Sequence, residues 1–384
     1  MANHDSSVAI VGVGLAGIPD AKGKSELTLQ AEAAVAALKD AGLTTADVDG
    51  IFTASNDMSW IPSVLVAEYL GIDAKYTDAT NIGGSSFEAH VGHAAAAIAA
   101  GLCNVALITY GSTQKSRRSR SLGAAGPVRL TNQFQDPFGL PVPLGAYALA
   151  AKRHMHLYGT TSEQLAQVAV STREWATLNP LAKMRDVLTI DEVLASTMIA
   201  EPLHLLDCCL VTDGAGAIVI TSANVAAGSR KPPVWVLGHG SAHTHATIGN
   251  MKHLTQPSST DSGRRAFEMA GVRPDEIDVA EIYDSFTITP ILSLETLGFC
   301  GLGEGGPFVT DRGTGPTGSF PMNTSGGGLS FCHPGMFGVF LLIEAVEQLR
   351  GESGDRQVPD AKLALAHGTG GALSSSATVV LARG

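Results

Sequence analysis

Short apolar runs rich in Val, Ile, Leu and Ala recur along this chain, several of them closing on glycine. In the first half they fall at 8–14, 48–54, 105–110 and 215–221, and in the second at 233–238, 279–283, 363–367 and 377–382. Runs of this length without strict alternation fit strands buried on both faces. Between them, apolar positions repeat with helical spacing at 28–41, 85–100, 261–270 and 335–350. Strand and helix alternation predicts an α/β fold with a mainly parallel sheet covered by helices on both sides.

The two halves run through their elements in the same order. Each opens on a strand, passes a helix, enters a second strand through an acid-rich turn and closes on a hairpin-like strand pair. The turn Ala-Asp-Val-Asp-Gly-Ile at 46–51 has its counterpart in Pro-Asp-Glu-Ile-Asp-Val at 274–279. This reads as an internal duplication with its seam at the Ser-Arg-Lys-Pro-Pro of 229–233. Residues 112–202 have no counterpart in the second half and predict an inserted loop domain with helices at 144–158 and 162–179. The expected division is 1–111 with 203–228, the insertion 112–202, and 229–384.

The chain has 384 residues, 45% of them hydrophobic and 16% charged, with 44 glycines, which suits large buried surfaces joined by tight turns. A net charge of -11 argues against nucleic acid, whose binding needs clustered Lys and Arg. Five irregularly spaced cysteines form no disulfide framework and no metal-binding Cys-x-x-Cys pair. No apolar stretch is long enough to span a bilayer, and the polar start runs straight into a strand. A cytoplasmic setting, no membrane contact and no metal are therefore expected. The Gly12-x-Gly14 turn lacks the remaining glycine of a dinucleotide fingerprint. The His-rich stretch at 240–245 lacks a suitably spaced carboxylate and reads as a loop.

Two longer motifs carry a family resemblance. Pro-Leu-His-Leu-Leu-Asp-Cys-Cys-Leu-Val-Thr-Asp at 202–213, followed by Gly-Ala-Gly-Ala, resembles the signature that closes the first half of thiolases. Asn-Thr-Ser-Gly-Gly-Gly-Leu-Ser-Phe-Cys-His-Pro at 323–334 resembles the glycine-rich, His-Pro signature of their second half. Within that superfamily the chain is most similar to the sterol-carrier-protein or lipid-transfer-protein type. The resemblance implies the thiolase fold: duplicated βαβαβ halves in a five-layer αβαβα core with an inserted loop domain. It also implies an acyl-CoA substrate, no further cofactor, and a homodimer.

Thiolases place a cysteine nucleophile at the head of the central helix, where the helix dipole favours the thiolate. Here that segment reads Asn81-Ile82-Gly83-Gly84-Ser85-Ser86, and the resemblance puts the cysteine's place on Gly84. The same alignment brings the family's helix-ending glycine onto Gly101. Ser85 beside it is first an N-cap, and only then a substitute nucleophile. The family's Asn or His before a conserved-type Phe motif corresponds to Tyr283 in Tyr-Asp-Ser-Phe, its Gly-His-Pro histidine to His333, and its second cysteine to His367.

A chain without the nucleophile suits retro-aldol cleavage of a β-hydroxyacyl-CoA. That reaction needs a base for the β-hydroxyl proton and donors for the thioester oxygen, and no acyl-enzyme. Tyr283, His333 and His367 are the expected catalytic residues. Cysteine-less members of this branch include aldolases that cleave CoA-activated steroid side chains with a small OB-fold/zinc-ribbon partner, so such an accessory protein is expected. The alternatives are an acetyl-CoA acetyltransferase or other acyltransferase using Ser85 or a partner's thiol, and a non-catalytic acyl-CoA-binding or scaffold subunit. The basic run Lys115-Ser-Arg-Arg-Ser-Arg120 opens the insertion. Lys115, Arg117, Arg118 and Arg120 there face either the CoA phosphates or solvent and a partner.

Overall fold

The computed structural model describes residues 8–55, 59–118, 133, 135–140 and 143–384. Eleven strands are defined in these segments. The first half supplies β1 (Val8–Ala16), β2 (Gly50–Thr53), β3 (Tyr76–Asp78), β4 (Val105–Ser112) and β7 (Gly214–Ser222), and the short hairpin of β5 (Met198–Ala200) and β6 (Leu203–His204) precedes β7. The second half supplies β8 (Val234–His243), β9 (Val279–Ile282), β10 (Leu363–Gly370) and β11 (Ser375–Arg383).

The helices used below are α1 (Glu26–Ala41), α2 (Pro62–Leu70), α3 (Ser86–Ala99), α4 (Leu144–Tyr158), α5 (Ser162–Thr177), α6 (Ile190–Ala195), α7 (Ser259–Ala270), α8 (Ile288–Thr296) and α9 (Gly338–Arg350). Local chemistry marks their ends. Ser25 caps α1 by accepting from the Thr28 N–H, and Gly42 closes it at φ 77°. Thr161 and Gln164 form a reciprocal capping box at the start of α5.

The main sheet has the order β3-β2-β4-β7-β1-β8-β11-β10-β9. It is two sheets joined by a short antiparallel pairing of Ala9 with Trp235 and Ile10 with Val234. Outward from this seam each half repeats one pattern. The first strand pairs antiparallel with the last (β1 with β7, β8 with β11), the last antiparallel with the next (β4, β10), and that one parallel with β2 or β9. Where the first half adds β3, the second has a single parallel bridge from Ala280 to Met322.

The duplication expected from the sequence is thus present in hydrogen-bond topology, but the mainly parallel sheet is not. Only β2–β3, β2–β4 and β9–β10 are parallel, because the closing strand of each half returns beside its predecessor in the opposite sense.

Helices α3 and α9 lie together between the two sheets and share one buried apolar cluster with their facing strands. Helices α1 and α2 cover the outer face of the first sheet, and α7 and α8 that of the second, each over its own apolar cluster. The layers are therefore helix, sheet, helix, sheet, helix.

Glycines set the spacing of the outer layers. A Cβ on Gly12 or Gly14 of β1 would run into the α1 backbone at Ala37 and Ala33. One on Gly238 or Gly240 of β8 would run into α7 at Ala266 and Ser262. The Gly-x-Gly that superficially resembles a nucleotide turn is a packing device, and it is duplicated.

Gly12→Ala and Gly238→Ala are each expected to destabilise the fold by about 2–3 kcal/mol through overpacking against a helix backbone that cannot retreat. Gly249→Ala, where a Cβ meets nothing within 4 Å, is the neutral control. Denaturant unfolding of the three variants checks the difference.

Candidate active site

The segment 81–85 leads into α3 from the edge of the first sheet, and Tyr283 follows β9 at the end of the second. Tyr283 is fixed through its backbone: its N–H donates to the His367 carbonyl at 2.9 Å, and the preceding Ile282 N–H donates to Asn323 Oδ1 at 2.7 Å. The Tyr283 ring then lies over Gly84. A Cβ on Gly84 would meet Tyr283 Cζ and the Thr369 carbonyl oxygen, each at 2.6 Å. The space in which a cysteine at Gly84 would project is filled by the tyrosine ring. Loss of the nucleophile therefore does not open room for substrate, as a Cys-to-Gly change alone would suggest.

His333 completes the pair. Its Nε2 is 2.9 Å from the Tyr283 hydroxyl, with the two rings edge to face at 5.7 Å between centroids. Thr212, from the closing motif of the first half, holds the histidine backbone at both ends: Thr212 Oγ1 accepts the His333 N–H at 3.0 Å, and the Thr212 N–H donates to the His333 carbonyl at 3.3 Å. Phe337 stacks on the imidazole and stands edge-on to Tyr283.

Tyr283 and His333 both line a pocket of about 700 Å³, together with Gly83 and Gly84 at the head of α3, the 369–375 turn, His243 and His245, and Tyr147 of α4. The first turn of α3 thus presents its positive end to the pocket.

Burial makes the pair electrically neutral. The His333 imidazole is pushed down to about 4, chiefly because the site keeps water from a charged ring. The Tyr283 phenol is held well above its ordinary value, first by burial and then by neighbouring groups. Asp284, next in sequence, is completely buried, and its carboxylate accepts from the backbone N–H of Gly328 at 2.6 Å and of Leu329 at 3.2 Å. It thereby ties down the turn Gly327–Phe331 that leads into His333. Burial raises its carboxyl to about 7 against those two hydrogen bonds.

The structure places the remaining expected residues elsewhere. His367 does not reach the pocket: its ring is fully buried, with Nδ1 2.9 Å from Thr378 Oγ1. Thr378 in turn meets Ser262 of α7 at 3.0 Å, so the ring faces the outer layer. Two residues further along β10, Thr369 reaches the pocket wall.

Ser85 is fully buried and makes no capping bond. Its hydroxyl contacts Ser375 Oγ at 2.9 Å and donates to the Ile82 carbonyl at 3.2 Å, with no base against it. Lys115 pairs with Asp20 at 3.1 Å, and Arg117 pairs with Glu26. Neither they nor Arg118 lie among the described residues of the pocket wall, and Arg120 falls outside the described residues.

Three pocket or support residues escaped the sequence reading: Asp284, Tyr147 and Cys209. Asp284 lies inside a recognised motif, so its neighbours were a usable signal. Tyr147 lies in the insertion, where nothing local marks its direction. Cys209 lines the pocket, but burial and then the carboxyl of Asp284 push its thiol far above the usual range, against a nucleophilic role. Among the described residues no group of His, Cys, Asp and Glu could hold a metal ion, and no helix is long and apolar enough to cross a membrane.

Residues 240–383 match the family described as thiolase C-terminal domain-like. The chain is 36% identical, over 90% of its length and 92% of the relative's, to a 17-hydroxy-3-oxo-4-pregnene-20-carboxyl-CoA lyase of Mycobacterium tuberculosis. It is 32% identical, over 98% of its length and 99% of the relative's, to an acetyl-CoA acetyltransferase of Methanothermobacter thermautotrophicus. A solved Ltp2-ChsH2(DUF35) aldolase superposes with a TM-score of 0.90 at 32% identity, covering 99% of this chain and 98% of that one.

Adding a methyl at Gly84 (Gly84→Ala) is expected to cost about 1–3 kcal/mol through overpacking. In a Tyr283→Ala background the cost falls, since one of the two obstructions is gone; a double-mutant cycle by thermal unfolding measures the coupling.

The lowered His333 value also has a stability consequence. Its neutral burial supports the fold fully above the ordinary imidazole value near 6.5, and that support is lost as pH falls toward 4, by roughly 3 kcal/mol. The stability gap between wild type and His333→Asn should shift by that amount between neutral and acid pH; a pH-independent gap would contradict a buried neutral imidazole.

Proposed function

This chain belongs to the thiolase superfamily, in its sterol-carrier-protein-like branch, and from that premise we propose that it is a carbon–carbon lyase performing retro-aldol cleavage of a β-hydroxyacyl-CoA. One observation carries the reading. The Tyr283 ring fills the place of the missing thiol, and its hydroxyl meets His333 Nε2 at 2.9 Å at the pocket wall.

In this mechanism the β-hydroxyl of the substrate gives its proton to the Tyr283 oxygen as the Tyr283 proton moves to Nε2 of the neutral His333. The Cα–Cβ bond breaks, the β-carbon becomes an aldehyde or ketone carbonyl, and the bonding pair passes to the thioester as an enolate. The positive end of α3 favours that anion, and the imidazolium proton returns to the α-carbon to give the shortened acyl-CoA. Passing the proton between two neutral groups means that neither buried side chain is charged before the substrate reacts.

The lyase and aldolase relatives support a substrate of this class, with a hydroxyl on a branched β-carbon. We further propose a cytoplasmic homodimer working with a small OB-fold/zinc-ribbon accessory protein. The ChsH2(DUF35) component named in the aldolase neighbour supports such a partner.

Acyl transfer has support in the archaeal acetyltransferase relative, but Cys209 is a poor nucleophile and Ser85 is sealed from the pocket. A non-catalytic role leaves the Tyr283–His333 pair without a purpose.

Incubated with its partner, the protein should release a carbonyl product from a branched 3-hydroxyacyl-CoA. Tyr283→Phe and His333→Ala should each lower kcat by roughly 10²–10⁴-fold, the contribution of a positioned acid–base group. No carbonyl product from any such substrate, or a covalent acyl-protein seen by mass spectrometry, would overturn the lyase reading.

A further inference from the structure

Glu88 lies in the first turn of α3, four residues after Gly84, and is 1% exposed. Its carboxyl occupies a slot between two glycine backbones. A Cβ on Gly338, at the head of α9, or on Gly368, in β10, would collide with Glu88 Oε2, and the Gly84 carbonyl borders the same slot. Neither carboxyl oxygen has a hydrogen-bond partner, and no basic side chain pairs with it among the described residues. Gly338 of α9 and Gly368 of β10 pack directly against the carboxyl, Ser85 lies beside Gly368, and Tyr283 is a titratable group on which Glu88 acts. A carboxyl buried without a partner strongly disfavours its charged form, and ionisation would set an unpaired charge beside the two helix heads.

We propose that Glu88 is a positioning residue that remains uncharged during turnover and so leaves the positive ends of α3 and α9 free to stabilise an anion formed beneath Tyr283. If Glu88 ionises, its charge neutralises those helix ends and opposes the enolate, which sets an alkaline limit on activity. Burial pushes its carboxyl up to about 8, which places that limit just above neutrality. The proposal deepens the lyase reading and rests on it for the identity of the anion.

Two measurements test it on the full chain. The first is thermal unfolding of wild type, Glu88→Gln and Glu88→Leu at about pH 5.5 and about pH 9. With its value raised, Glu88 costs wild type progressively more stability as pH climbs from the ordinary carboxyl range to about 8, so both variants should gain on wild type at the higher pH. A pH-independent gap overturns the proposal whatever the reaction.

The second uses acetoacetyl-CoA, whose bound enolate is read by its ultraviolet absorbance without turnover. At about pH 9 the variants should hold at least about fivefold more enolate than wild type, and equally much at about pH 6.5. Equal enolate at both pH values overturns the proposal. Because this probe needs no cleavage, failure of the lyase assay remains distinguishable from failure of Glu88 to act. If Glu88→Gln does not fold, Glu88→Leu decides both arms.

Discussion

The contact on which this site depends is the Tyr283 ring lying against the Cα of Gly84. No side chain fits between the ring, the Thr369 carbonyl and the helix head, so glycine and tyrosine require each other. The same contact has three effects. It leaves no room for a side chain at Gly84, where the family resemblance puts the cysteine. It brings a phenol to the positive end of α3. It leaves the phenol's oxygen facing the imidazole of His333.

That contact needs a frame that does not give. Both halves set their outer helix directly on a strand through paired glycines, Gly12 and Gly14 in the first and Gly238 and Gly240 in the second. Between the sheets, α3 and α9 are sealed in a single apolar cluster. The site forms where these layers end, from the head of α3, the turn after β9, the turn before α9 and the loop after β10. Rigid elements thus aim loops that carry chemistry. Thr212 extends the arrangement across the duplication, since a residue of the first half's closing motif clamps the histidine of the second.

Burial decides the electrostatics. With water excluded, imidazole, phenol and carboxyl groups all favour their neutral forms, and the relevant property of the pocket becomes the direction of its dipoles. Tyr283 and His333 can exchange a proton without either starting charged. Asp284 contributes differently, spending its two oxygens on backbone N–H groups that shape the turn before His333.

The sequence by itself determined the strand runs, the central helix, the duplication and the insertion, because each is written in local periodicity or in motifs that fold contiguously. The structure brings Gly84, Tyr283 and His333, which the family resemblance singled out, to one pocket. Helix α8 escaped because every residue in it is buried, so no amphipathic stripe marks it. The antiparallel pairing of the closing strands β7 and β11 with β1 and β8 escaped because strand direction depends on where the chain re-enters the sheet. His367 looked catalytic because its motif position was near; a strand alternates its faces, and this register turns the ring outward toward Thr378. Likewise Lys115 and Arg117 stand in a basic run along the chain yet are matched by Asp20 and Glu26 from elsewhere in it. That the Tyr283 ring lies against Gly84 was decided only by tertiary structure. It is a relation between two residues far apart in the chain, and no local pattern records the distance between them.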